Sequence, residues 1–411
     1  MMQPSSSQRY DVGGILFPQP FKVRRLGHFG LNVEDTQATL AFYCDLLGFR
    51  LSDPMDLASH LPNGAELKKV GDTHLYFTRH GTDHHSFVFG DRNVVKARGE
   101  KLPDDVTVNQ LTWQVGSLGE ISGGIDYFKS LGIPIQRVGR DMPGSNWHVY
   151  PYDPEGHRNE LYYGMEQIGW SGTSKPKMAY DRGFRERPSL PQVPEYMEVE
   201  RMREAGVDLS SGHHDPEKEA ATYDVDGILL ARPFKVVRHG PVGLFCKDLD
   251  AMERFYVQVM GFNQTTEIDY HGHRCVFLRC NTEHHSLALY PIALRKILGM
   301  NENTTVMHFG IQVGSYRQLQ NALKYLKERG CTFIDVPPEL TPGIEYSAHI
   351  LDPSGHAVQI YFSMEQVGWD GVARTRDPHE AYPSRDWQHW PKTIEAKSDT
   401  YMGEILLGPW G

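Results

Sequence analysis

Cysteine is scarce: five stand among 411 residues, at positions 44, 246, 275, 280 and 331. The number is odd, and only Cys275 and Cys280 lie close together, without the paired spacing of a structural zinc site. Neither a disulfide framework nor a zinc module is encoded, and reduced thiols in a cytoplasmic setting are expected. Long apolar runs are missing as well. No stretch approaches the ~20 apolar residues of a membrane span, and the first ten residues have no apolar core of the kind a secretion signal needs, so a soluble chain with a short disordered N-terminus is expected. Blocks of Lys or Arg are also absent; the formal charge of −10 is spread over 42 basic and 52 acidic side chains. No nucleic-acid or membrane partner is therefore expected, while homo-oligomerisation is left open.

What the chain does have is a duplication. Tyr10-Asp-Val-Gly-Gly-Ile-Leu-Phe-Pro-Gln-Pro-Phe-Lys-Val returns as Tyr223-Asp-Val-Asp-Gly-Ile-Leu-Leu-Ala-Arg-Pro-Phe-Lys-Val. Asp153-Pro-Glu-Gly-His and Met165-Glu-Gln-Ile-Gly-Trp return as Asp352-Pro-Ser-Gly-His and Met364-Glu-Gln-Val-Gly-Trp. Two homologous domains follow, over 24–170 and 223–372, after an N-terminal segment (1–23). At this length two ordinary cores can be buried. Residues 171–222 between them are rich in Pro, Glu, Arg, Ser and Gly without periodicity, which reads as an extended linker or a strap along the surface. Residues 373–411 form a tail whose Trp387, Trp390 and Trp410 point to docking on a domain.

Each domain divides again. Residues 26–33 suit a strand, and 35–48 carry apolar residues at helical spacing, closed by the glycine expected after a helix. Strand-like runs follow at 49–52, 74–79 and 85–89; the order then restarts with a strand at 108–115, a helix at 121–131 and strands near 133, 147 and 160. The unit βαβββ thus occurs four times, an α+β chain.

These features resemble the vicinal-oxygen-chelate proteins, which include glyoxalases, fosfomycin- and bleomycin-resistance proteins and type I extradiol ring-cleaving dioxygenases. The resemblance is carried by Gly27-His-Phe-Gly-Leu-Asn-Val-Glu-Asp, Phe42-Tyr, Leu47-Gly-Phe and Asp153-Pro-Glu-Gly-His-Arg-Asn-Glu-Leu-Tyr, and covers roughly 24–170 and 236–370. It implies four βαβββ units forming two half-barrel domains. It also implies metal ligands on the first, fifth and eighth strands of a domain, commonly two His and one carboxylate that leave positions open for substrate and dioxygen.

The matching positions in the first domain are His28, Gln110 and Glu160; in the second they are Pro241, His308 and Gln359. Proline offers no donor atom and Gln359 no charge, so the preferred metal site is in the first domain and the second is degenerate. A crossed alternative would gather His28, His308 and Gln359 from units one and four. His28 also reads as a polar strand residue held by a hydrogen bond, and His308 as a core histidine. The pairs His84-His85 and His284-His285 open strands; by resemblance, His85 (or His285) stands where a histidine moves protons, and His85 is alternatively a ligand itself. Asn146 and His148 are candidate substrate contacts, whereas His60, His213, His214 and His389 are expected to be idle.

The function the resemblance implies is a non-haem, Fe(II)-dependent extradiol-type dioxygenase acting with dioxygen on a catechol- or hydroquinone-like aromatic, Mn(II) or another divalent ion being the alternative metal. A glyoxalase-like lyase or isomerase, and a metal-free small-molecule binding protein, are the other readings of the same fold.

Overall fold

The computed structural model describes residues 8–100, 102–144, 146–176, 183–368, 370–374, 376 and 381–394. In the first half a hairpin of β1 (Tyr10–Val12) and β2 (Ile15–Phe17) precedes β3 (Arg25–Val33), β4 (Arg50–Asp56), β5 (His74–Arg79), β6 (Phe87–Asp91), β7 (Val108–Gln114), β8 (Ile135–Arg140), β9 (Trp147–Pro151) and β10 (Asn159–Tyr163). The second half repeats the series. Hairpin β11 (Tyr223–Val225) and β12 (Ile228–Leu230) leads into β13 (Val236–Cys246), β14 (Asn263–Tyr270), β15 (His273–Arg279), β16 (Leu287–Pro291), β17 (Val306–Val313), β18 (Phe333–Ile334), β19 (Ser347–Leu351) and β20 (Ala357–Tyr361).

Each half closes its eight longer strands into one curled half-barrel sheet, in the orders β4-β5-β6-β3-β7-β10-β9-β8 and β14-β15-β16-β13-β17-β20-β19-β18. The two βαβββ units of a half meet at an antiparallel junction, β3 against β7 and β13 against β17. The helix Leu118–Ser130 follows Ser117, whose hydroxyl accepts the Glu120 N–H, and it buries Ile121, Ile125 and Phe128. Ser315 starts Tyr316–Glu328 in the same way.

Alternation along β3 sends Phe29 to the side opposite His28. Phe29 stacks on Phe309 of the other half at 4.8 Å between ring centres, within a core that both halves share. The repeated Asp-Pro-x-Gly-His turn lies at this seam. His157 is tied to Asp153 (2.9 Å) and, through Nε2, to Thr305 (2.8 Å), while Tyr256 donates to Asp153 (3.0 Å). The mirror set is His356 on Asp352 (3.2 Å) and Thr107 (3.0 Å), with Tyr43 donating to Asp352 (3.3 Å). Thr107 and Thr304 join the two sets at 2.5 Å. Lys22 and Lys235 also cross over symmetrically, donating to the carbonyls of Cys280 (2.7 Å) and His80 (2.9 Å).

The described part of 171–222 packs on the protein and is not extended throughout. Its helix Glu195–Glu204 presents Glu198, 1% exposed, to Arg140 at 2.6 and 3.1 Å, and Phe184 exchanges both backbone hydrogen bonds with Arg140. In the tail, Trp390 packs on Tyr346 and Trp387 on Phe333; Trp410 lies outside the described residues. One boundary differs from expectation. His84 and His85 do not open a strand, which begins at Phe87; the His84 N–H is instead engaged by the Glu166 carbonyl at 2.9 Å, so the pair stands in the turn ahead of β6.

Candidate active site

His28 on β3, Thr112 on β7 and Glu160 on β10 form one row across the first sheet, since His28 is registered with Thr112 and Thr112 with Glu160. Their side chains meet on its inner face. His28 Nε2 lies 3.1 Å from Glu160 Oε2, which also accepts from Thr112 Oγ1 (2.9 Å), while Asn146 Nδ2 donates to Oε1 (2.9 Å). Glu160 is fully buried. Burial alone would raise its pKa, but the neighbouring His28 and the hydrogen bonds to the carboxylate leave it below the ordinary glutamate value, so it is an anion at neutral pH.

Gln110 shares this face two residues before Thr112. Gly30 makes room for it: a Cβ there would come within 3.0 Å of Gln110 Cγ. Tyr150 on β9 donates to Gln110 Oε1 at 3.4 Å. A cavity of about 590 Å³ opens beside these groups, bordered by His28, His85, Gln110, Asn146 and Tyr150. Met55, Leu57, Leu75, Phe77 and Val88 form an apolar wall.

His85 stands with its ring centre 4.3 Å from that of His28 and 5.0 Å from that of Phe77. Its Nδ1 is 3.0 Å from His84 Nδ1, and His84 Nε2 is 2.8 Å from Asp53 Oδ2. The carboxylate accepts, so His84 carries its proton on Nε2, His84 Nδ1 accepts from His85 Nδ1–H, and His85 Nε2 keeps a free lone pair. Burial, then the neighbouring His28, His84 and His239 rings, push His85 well below the ordinary histidine value of 6.5, so it is neutral at pH 7.

Three further candidates are placed as follows. His148 is fully buried beside Tyr150, its Nδ1 3.5 Å from Asp141 Oδ2, and is not among the residues bordering the cavity. His60, expected to be idle, lies in the turn after β4 and borders the cavity. The crossed set is not brought together: His28 belongs to the first sheet and His308 and Gln359 to the second, and with Phe29 and Phe309 stacked between the sheets, His28 and His308 point away from each other. In the second half His308 has no hydrogen-bond partner on either ring nitrogen, and Gln359 donates to Ser347 at 3.2 Å.

Sequence reasoning missed Asp53, Thr112, Tyr150, Arg137 and the linker residues Gly183, Phe184 and Arg185, the last three of which border the same cavity. For Thr112 and Tyr150 the period-two alternation from Gln110 and from His148 was available and would have placed both on the inner face.

The glyoxalase/bleomycin resistance protein/dioxygenase superfamily matches this chain over residues 25–161 and 238–360. The chain belongs to that superfamily. Among individual relatives, 3-methylcatechol 2,3-dioxygenase of Pseudomonas putida is 27% identical over 146 residues, 35% of this chain and 43% of the relative. The 2,2',3-trihydroxybiphenyl dioxygenase of Sphingomonas paucimobilis is 26% identical over 129 residues, 31% of this chain and 42% of the relative. The matched stretch thus spans less than half the length of either. Among solved structures, a catechol 2,3-dioxygenase superposes with a TM-score of 0.52 at 18% identity, over 87% of this chain and 93% of its own. The Mn(II)-bound glyoxalase from Novosphingobium aromaticivorans gives 0.51 at 15% identity, over 85% of both chains. These two share the fold.

Proposed function

We propose that the first half is a ring-cleaving dioxygenase of the extradiol type, acting on a catechol- or hydroquinone-like aromatic in the cytoplasm, with Fe(II) held by His28, Glu160 and the amide oxygen of Gln110. The observation that carries the reading is the 3.1 Å approach of His28 Nε2 to Glu160 Oε2 beside a cavity of small-molecule size. Two donors each ~2.1 Å from one ion and at right angles would stand ~3 Å apart, so this pair fits a metal. Among the described residues no group of three His, Cys, Asp or Glu side chains gathers to hold an ion, which leaves the third place to a neutral amide. Two curated relatives named as dioxygenases of catecholic compounds support the same reading. When bound, the ferrous ion would supply adjacent open positions for two substrate oxygens and for dioxygen.

The chain's own residues do the rest. Asn146 and Thr112 fix the Glu160 carboxylate, Tyr150 orients Gln110, and the wall of Leu75, Phe77 and Val88 takes the aromatic face. His85, neutral and with a free Nε2, accepts a proton from a substrate hydroxyl and returns it later. The second half, with Pro241 and Gln359 at the corresponding positions, holds no metal.

The test is oxygen uptake by protein purified without oxygen or chelators, loaded with Fe(II) and offered a panel of catechols and hydroquinones. Consumption of oxygen one to one with substrate is expected, and no uptake across the panel overturns the reading. The neutral Gln110 favours one alternative, a lyase or isomerase in which the metal stabilises an enediolate; turnover of such a substrate without oxygen would establish it.

A further inference from the structure

The border of the cavity is rich in cationic side chains. Five arginines border it, at positions 98, 137, 140, 158 and 185. Each of them faces a carboxylate. Arg140 is committed to Glu198, Arg185 and Arg137 reach Asp141 at 2.5 and 2.9 Å, and Arg98 stands 3.8 Å from Glu100. Arg158 is different. It is 3% exposed, and its Nη1 is 3.0 Å from Glu100 Oε2, but neither Nε nor Nη2 has a hydrogen-bond partner.

Those two nitrogens form one edge of the guanidinium, the edge whose parallel N–H groups match both oxygens of a carboxylate. Burying them without acceptors is costly, so the pocket is complete only when something accepts from them. Their direction follows from the sheet. Arg158 lies two residues before Glu160, and its carbonyl accepts the Leu111 N–H at 2.9 Å, so its side chain shares the inner face with Glu160 and Gln110. Beside it, Arg137 lies over the Tyr150 ring at 3.9 Å, with its own Nε unpartnered.

We propose that Arg158, supported by Arg137, is the anion-recognition point of this cavity, and that its ligand is a small aromatic molecule carrying a carboxylate. The inference rests on the reading of the cavity as an aromatic site and adds the ligand's charge. The ring would lie against Leu75 and Phe77 with the carboxylate on the buried, unpartnered Nε–Nη2 edge of Arg158.

The test measures binding by titration calorimetry on the full chain, with benzoate against benzamide and 3,4-dihydroxybenzoate against catechol. Each carboxylate should bind about tenfold or more tightly than its uncharged partner, as charge-assisted hydrogen bonds require. Arg158→Gln should bring each pair within about twofold. Equal affinities in the unchanged protein, or a preference that survives Arg158→Gln, overturn the proposal.

Because that variant leaves Glu100 without its partner and could unfold, a second measurement uses the unaltered chain. Benzoate should slow modification of Arg158 by phenylglyoxal, followed by peptide mass spectrometry, and an unchanged rate also overturns the proposal. Neither measurement needs turnover. If benzoate binds through Arg158 while no catechol consumes oxygen, it is the dioxygenase reading that fails.

Discussion

His84 Nδ1 and His85 Nδ1 face each other at 3.0 Å, and one proton serves both. Asp53 decides which ring carries it, because its carboxylate, 2.8 Å from His84 Nε2, can only accept. The second half has the same pair, His284 and His285, at the same 3.0 Å, but there His284 Nε2 meets Thr266 Oγ1 at 3.2 Å. A hydroxyl donates or accepts, so it fixes no tautomer. On the proposed reading, the difference separates a histidine prepared as a base from one that is merely buried.

Asp53→Asn should therefore slow turnover about 10- to 100-fold while metal content and ligand affinity stay unchanged, because the amide no longer forces the proton onto His84 Nε2. His85→Ala should lose about 10²-fold, the usual effect of removing a general acid or base. Steady-state rates beside calorimetric affinities check both. An Asp53→Asn enzyme as fast as the unaltered one would show that the relay is idle.

The pH profile offers a separate check. Burial and then His28, His84 and His239 lower the His85 pKa well below 6.5, so the ring stays neutral as pH falls through that value. We expect kcat/KM to hold nearly level from about pH 8 to about pH 6, where an unperturbed histidine base would already have lost most of its activity. A half-maximal point at 6.5 would mean that His85 is not the base.

Metal retention should depend on the first half alone. His28→Ala and Glu160→Ala should each reduce bound metal to background, by elemental analysis after gel filtration, whereas His308→Ala and Gln359→Ala should leave it unchanged. Loss of metal in His308→Ala would point to a site in the second half.

Lys235 makes a stability prediction. Burial, followed by the charges of Arg50, Arg79 and Arg232, lowers its pKa to about 8. Below that value the ammonium is charged in both folded and unfolded chains and the full penalty applies. Between about 8 and 10.5 the folded chain has lost the proton that the unfolded chain still holds, so this group's contribution rises with pH. Lys235→Met should accordingly stabilise the protein at pH 7, on the order of 1 kcal/mol, with the gain shrinking toward pH 10. Urea midpoints at the two values would test this, and a gain that grew with pH would contradict it.

Much of the architecture was legible because its signals are local. Period-two runs, a Ser N-cap and the repeated motifs locate the strands, the helices and the duplication, and the resemblance selected His28 and Glu160, which the fold does bring together. What stayed hidden depends on segments remote in sequence. Gly183–Arg185 reach the cavity through Arg140, and Asp53 matters only because β4 runs near the turn that holds His84. His60 borders the cavity for the same reason, from a turn whose placement nothing local states. The Asp153-Pro-Glu-Gly-His motif reads as a family signature, but its place at the seam emerges only when Thr305, 148 positions away from His157, arrives beside its ring.

That seam separates two kinds of evolutionary pressure. Tyr43, Thr107, Asp153 and His157, with Tyr256, Thr305, Asp352 and His356, hold the halves together, and none of them borders the cavity. A descendant copy gripped in this way is retained for its back even when its front has no work. On the proposed reading, with the metal confined to the first half, the second half serves its sister as scaffolding through this seam.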